Sequence, residues 1–138
     1  MLSIVEKVLF LKKVELFRNI DSETLAHIAD MLLEETHPEG SLLVREGDVG
    51  DALYILVEGH VLVHHNNTPL AELGPRTCVG EMAVLDAEPR SASVTARTDV
   101  TMLKLMQHDF NVILQENNAL ALGIIAVLIK RLREANQR

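Results

Sequence analysis

Apolar residues near the start of the chain recur at helical spacing. Ile4, Val5, Val8, Leu9, Leu11 and Leu16 carry that period, and Asn19, Ile20, Asp21 and Ser22 break it and supply capping side chains. A second helix is predicted from about Glu23 to Leu33, with Leu25, Ile28, Ala29 and Leu32 as one apolar stripe. Phe10 and Phe17 are expected to pack this pair on the remainder of the domain. From Ser41 the pattern shortens. Leu42–Val44, Ala52–Val57, Val61–Val63, Leu70–Leu73, Ser91–Arg97 and Val100–Met106 read as strands, separated by Glu46-Gly47-Asp48, Glu58-Gly59 and Asn66-Asn67. The end turns helical again: a short helix at Gln107–Leu114, a break at Asn117-Asn118, and a last helix over about Ala119–Glu134. Ala119 through Ile129 contain no polar side chain, so that helix must be covered by a partner helix, a neighbouring subunit or a ligand.

Glycine and proline mark the same partition. Residues 1–37 have neither, all four prolines fall between Pro38 and Pro89, and six of the seven glycines fall between Gly40 and Gly80. The expected fold is therefore mainly β with flanking helices, its short strands forming a sandwich or jelly-roll barrel. One domain spans residues 1–138: N-terminal helices at 1–37, a β-roll at 38–106 and C-terminal helices at 107–138.

Bulk composition narrows the function. At 138 residues with 48% hydrophobic and 24% charged residues, the chain can bury one core without staples. The sole cysteine, Cys78, excludes an intramolecular disulfide and fits a reducing compartment. The first residues do not form a signal peptide, and no run reaches the ~18 apolar residues of a membrane span; a cytoplasmic location is expected. A net charge of −7 argues against direct nucleic-acid binding.

Local chemistry is concentrated at residues 80–92. Gly80 and Glu81 precede a run that can open one helical turn, and Pro89, Arg90, Ser91 and Ala92 close the stretch. A helix N-terminus offers free N–H groups to an anion, and an arginine adds a bidentate phosphate clamp. The acidic surface does not forbid this, since exposed charges are screened beyond ~8 Å at physiological salt. Glu81 is repelled by phosphate, but a carboxylate accepts a hydrogen bond from a sugar hydroxyl. A phosphorylated sugar is the ligand this chemistry suits.

Gly80-Glu81-Met82-Ala83 followed by Pro89-Arg90-Ser91-Ala92 resembles the phosphate-binding cassette of cyclic nucleotide-binding domains, as in catabolite-activator-type regulators, protein kinase A regulatory subunits and cyclic-nucleotide-gated channels. The resemblance covers roughly residues 8 to 134 and includes Arg45-Glu46-Gly47-Asp48 and Tyr54-Ile55-Leu56-Val57-Glu58-Gly59. It implies a double-stranded β-helix with a C-terminal lid helix, binding a 3′,5′-cyclic nucleotide. Arg90 would bind the phosphate with Ser91 and the N–H groups of Met82 and Ala83, Gly80 would allow close approach, and Glu81 would accept from the ribose 2′-hydroxyl. The base would meet strand residues around Val61 and Val63. Ile125, Leu128, Ile129 or Leu132 would cap it, with Leu128 taken as the cap contact. Gly47 and Gly59 are expected to be structural. The ligand expected is cAMP in preference to cGMP, with no cofactor and no catalysis. Val79 departs from the aromatic residue usual before Gly80. No helix-turn-helix follows before Arg138, so the chain is expected to be not a transcription factor by itself but a regulatory module, a piece of a larger protein whose output domain is missing.

Two other classes compete with this reading. One is a ligand-free copy that dimerises through the final helix, against which the presence of both Glu81 and Arg90 speaks. The other is a jelly-roll metalloenzyme. His60 and His64 share a strand face but His65 points away, and the His-x-His pattern with a downstream Glu and His is absent, so no metal is expected. Cys78 has no axial histidine beside it for haem and reads as a small buried thiol. No nucleophile elbow or Gly-x-x-x-x-Gly-Lys loop is present.

Overall fold

A computed structural model of the chain describes residues 1–80 and 89–137. Helix α1 (Ile4–Leu11) starts at a capping box: Ser3 Oγ accepts from the Glu6 N–H while the Glu6 carboxylate accepts from the Ser3 N–H. Those bonds, the one from the Ser3 backbone first, hold the Glu6 carboxyl below its usual value. Its helical periodicity marks a buried face only in part: Val8 and Phe10 pack, half-buried, on the same cluster as Leu11. Ile4, Val5 and Leu9 face solvent, and of this helix only Leu11 is fully buried. Successive turns, rather than a continued helix, then bury Val14, Leu16, Phe17 and Ile20. Helix α2 (Ser22–Met31) buries Leu25, Ile28 and Ala29, the stripe expected of it.

The β region begins earlier than predicted. Leu33–His37, expected at the end of the N-terminal helical part, forms strand β1, which pairs antiparallel with the last strand. Its sequence, Leu-Glu-Glu-Thr-His, has too few apolar residues to show a period. The other strands are β2 (Leu42–Val44), β3 (Ala52–Glu58), β4 (Val61–His65), β5 (Thr68–Leu73), β6 (Cys78–Val79), β7 (Ser93–Ala96) and β8 (Val100–Met106). They form two antiparallel four-stranded sheets, ordered β1-β8-β3-β6 and β2-β7-β4-β5. This is the jelly-roll.

Strand β3 is an unbroken apolar run because both its faces are covered. Leu53 and Ile55 point into a cluster with the helices, alongside Leu103, Leu105, Phe17 and Phe110. Leu56, and beside it Tyr54, point into the space between the sheets with Val61, Val79, Val94 and Met102. On that inner face Lys104 sits over the Tyr54 ring, 5.8 Å from its centre.

Two helices complete the fold: α3 (Gln107–Glu116) and α4 (Asn118–Asn136), bent by 108° at Asn117. Asn117 caps α4 by accepting from the Leu120 N–H. Leu120, Ile124 and Val127 seat α4 on the helical cluster. The opposite face is bare, with Leu122, Ile125, Ile129 and Leu132 each 44–65% exposed. Among the described residues no single helix is long and apolar enough to cross a membrane.

Candidate ligand site around Arg90

Arg90 is the only charged residue among the described residues that is buried, at 8% exposure. Burying a guanidinium is costly unless its donors are satisfied, and the segment leading into β3 both fastens the Arg90 backbone and supplies a carbonyl to its side chain. The Arg90 N–H donates to the Asp48 carbonyl at 2.7 Å, and the Gly47 N–H donates to the Arg90 carbonyl at 2.9 Å. Val49 and Pro89 form an isolated antiparallel bridge beside them. The side chain reaches inward, where Nη2 donates to the Ala52 carbonyl at 2.8 Å. Two glycines flank the guanidinium, and a Cβ on either Gly50 or Gly80 would overlap it. Gly80 also has φ +91°, a left-handed conformation suited to glycine.

The same segment touches the C-terminal helices. The Gln107 N–H, at the first residue of α3, donates to the Asp51 carbonyl at 2.8 Å, and Ala52 pairs with Met106. One short stretch of backbone therefore contacts both the arginine head group and the start of α3.

Of the residues expected at the site, Gly80 and Arg90 come together as anticipated, and Ser91 lies next to them on the surface. Glu81, Met82 and Ala83 lie outside the described residues. Val63 is half-buried on β4, but Val61 is fully buried in the inter-sheet cluster and offers no open surface. Leu128 is not beside them. It packs on the helical cluster, against the other side of the first sheet. Gly50 and Ala52 were missed. Gly50 stands in a turn-rich stretch where a glycine is unremarkable, and its neighbour Arg90 is distant in sequence.

Two of the three histidines weighed for metal, His64 and His65, take structural partners. His64 hydrogen-bonds Thr95 Oγ1 and the Asn66 carbonyl, and His65 pairs with Glu46 at 2.9 Å. Among the described residues no group of three metal-ligating side chains converges.

A family model for the cyclic nucleotide-binding domain matches residues 34–117. The chain belongs to that family. Across this cyclic nucleotide-binding domain, a cyclic nucleotide-gated potassium channel of Rhizobium etli is 36% identical over 118 residues, 86% of this chain and 33% of the channel. The crystal structure of the Thermus thermophilus catabolite activator protein superimposes with a TM-score of 0.80 at 32% identity, covering 89% of this chain and 60% of that one. The regulatory domain of Toxoplasma gondii PKA, co-crystallised with cAMP, superimposes with a TM-score of 0.74 at 27% identity, covering 80% of this chain and 44% of that one. The domain spans about a third of the curated relatives it matches first.

Proposed function

We propose that this domain is a regulatory sensor that binds a 3′,5′-cyclic nucleotide, cAMP in preference to cGMP, and relays occupancy through α4. The observation that carries this reading is the buried Arg90 guanidinium, held beside Gly80 at the start of the cassette. In this reading Arg90 and Ser91 bind the cyclic phosphate with the N–H groups of Met82 and Ala83. Gly80 admits the phosphate closely, and Glu81 accepts from the ribose 2′-hydroxyl. The base lies toward Val63, with Val61 as buried support beneath it.

The relay is supported by the backbone link from Arg90 through Ala52 and Asp51 to Gln107. Leu128 packs on the helical cluster, so capping the base requires α4 to move. The ligand then shifts α4 by the difference in its affinity for the two arrangements. Calorimetric titration with cAMP, cGMP and 5′-AMP tests the binding. Truncating a buried charged contact costs ~2–5 kcal/mol, so Arg90→Ala should weaken cyclic-nucleotide binding roughly 30- to 3,000-fold. No heat and no thermal shift at millimolar ligand, from folded and nucleotide-free protein, would sink the reading.

The bare face of α4 favours self-association as well. Leu122, Ile125, Ile129 and Leu132 repeat at the three-four-three spacing of a coiled-coil seam, and Asn136 falls at the next position, where a buried asparagine specifies register. A second copy of the chain fits this seam. Any output domain would receive the signal through the same helix.

A further inference from the structure

We infer that Gly50 is a positioning residue for Arg90: it is glycine so that the guanidinium can lie flat against its backbone and point toward Gly80. This rests on the proposed role of Arg90 as the phosphate ligand. Four other glycines of the β-roll have a backbone reason of their own. Gly40, Gly47, Gly59 and Gly80 have φ between +89° and +91°, where side-chain-bearing residues are strained. Gly50 is not in that region, so its backbone would accept alanine. The atoms nearest to the side chain it lacks all belong to Arg90. A Cβ there would overlap Nε, Cζ and Nη2 of Arg90, and Gly50 itself is buried.

Something must give way on substitution, and the surroundings decide what. The Arg90 backbone is fastened on both sides, to Asp48 and to Gly47, and Ala52 is fixed in β3 opposite Met106. The guanidinium is held by softer restraints, including its bond from Nη2 to the Ala52 carbonyl. Gly50→Ala therefore pushes the head group off that carbonyl and out of line with the cassette, while the backbone stays in place. Displacements on the order of an ångström in a binding group are enough to lose most of its effect.

The test is a set of four proteins, the wild type, G50A, R90K and G50A/R90K, each titrated calorimetrically with cAMP and cGMP. A lysine carries atoms in place of Nε and Cζ but no rigid fork beyond them, and its stem of freely rotating single bonds can swing aside, so it eases the overlap. G50A is expected to bind roughly tenfold or more weakly than wild type, and the same change in the R90K background to cost less than about threefold. The Arg90 Nε–Hε resonance, assigned by its loss in R90K, should shift or broaden in ligand-free G50A. Wild-type affinity and an unmoved resonance in G50A would overturn the inference, as would an equal penalty in both backgrounds, which signifies general loosening. If the wild type binds neither nucleotide, the sensor reading has failed on its own. The resonance in G50A then decides for or against the positioning role without any ligand. If G50A does not fold, recovery of folding in G50A/R90K upholds the inference, and loss of folding in both overturns it.

Discussion

Gly123 of α4 rests directly on the backbone of Leu16: a Cβ added to it would lie 2.8 Å from the Leu16 carbonyl oxygen. The final helix is thus seated on the N-terminal turns by a contact only glycine allows. Lys130 and Glu15, 3.9 Å apart, add a partly exposed ion pair along the same seam. This docking holds Leu128 against the helical cluster, and any movement of α4 toward the inter-sheet side must release it.

Gly123→Ala sets two effects against each other. Alanine in a helix gains about 1 kcal/mol over glycine, whereas overpacking against an atom that cannot swing aside costs ~1–3 kcal/mol. The oxygen belongs to the backbone, so the cost should prevail. Urea denaturation is expected to show a net loss of up to about 2 kcal/mol. A gain near 1 kcal/mol would mean that α4 lifts from Leu16 freely.

The exposed seam makes a separate prediction. Ile129→Glu and Leu132→Glu act on side chains that are 44% and 62% exposed among the described residues. Each should therefore change monomer stability by no more than about 0.5 kcal/mol. If α4 pairs with a second copy, sedimentation of wild-type protein will be concentration-dependent and both variants will run as monomers. A wild type that stays monomeric at every concentration would leave the seam for another partner.

Leu53 couples the sheet to the helices from a fully buried position on β3. Leu53→Ala should cost ~2–5 kcal/mol by the lost transfer energy and the cavity left behind. Leu70, 52% exposed on β5, provides the control. Its alanine variant should stay within about 0.5 kcal/mol of wild type in the same denaturation experiment.

The capping box of α1 predicts a pH effect of definite sign. The Glu6 carboxyl is held below its usual value in the folded chain, first by the Ser3 backbone N–H and then by the Ser3 side chain. Its contribution to α1 is therefore fully present above that value and is lost as pH falls through the lowered folded value. A carboxyl-carbon NMR titration should place the Glu6 midpoint below that of Glu6 in the urea-unfolded chain, and Ser3→Ala, which keeps the backbone N–H, should remove only part of the difference. Equal midpoints in folded and unfolded chains would show that the box does not persist in solution.

The strands absent from the sequence-based expectation have a common physical reason. Strand β1 is mostly polar and β6 has two residues, so neither carries enough side chains to reveal a period of two. Both take their structure from ladders with strands distant in sequence: β1 from β8, and β6 from β3. In α1 the period is present, but only Val8 and Leu11 of it meet the core while Ile4, Val5 and Leu9 face solvent. The sequence cannot distinguish an apolar stripe that meets a core from one that meets solvent.

From its sequence alone this chain was determined to be helices, then a glycine-punctuated β-roll, then helices, with chemistry gathered at Gly80 and Arg90. Those features rest on local periodicity, turn chemistry and the spacing of a motif, all written along the chain. Tertiary structure alone decided that Gly50 and the Ala52 carbonyl form the bed of Arg90, since their partner lies across the fold. It also decided which faces of a helix apolar all round are covered: Leu120, Ile124 and Val127 meet the core, while Leu122, Ile125, Ile129 and Leu132 meet solvent. Between Ala119 and Ile129 no polar face stands against an apolar one, so that stretch carries no moment to orient it. In the fold its Gly123 lies against the backbone of Leu16.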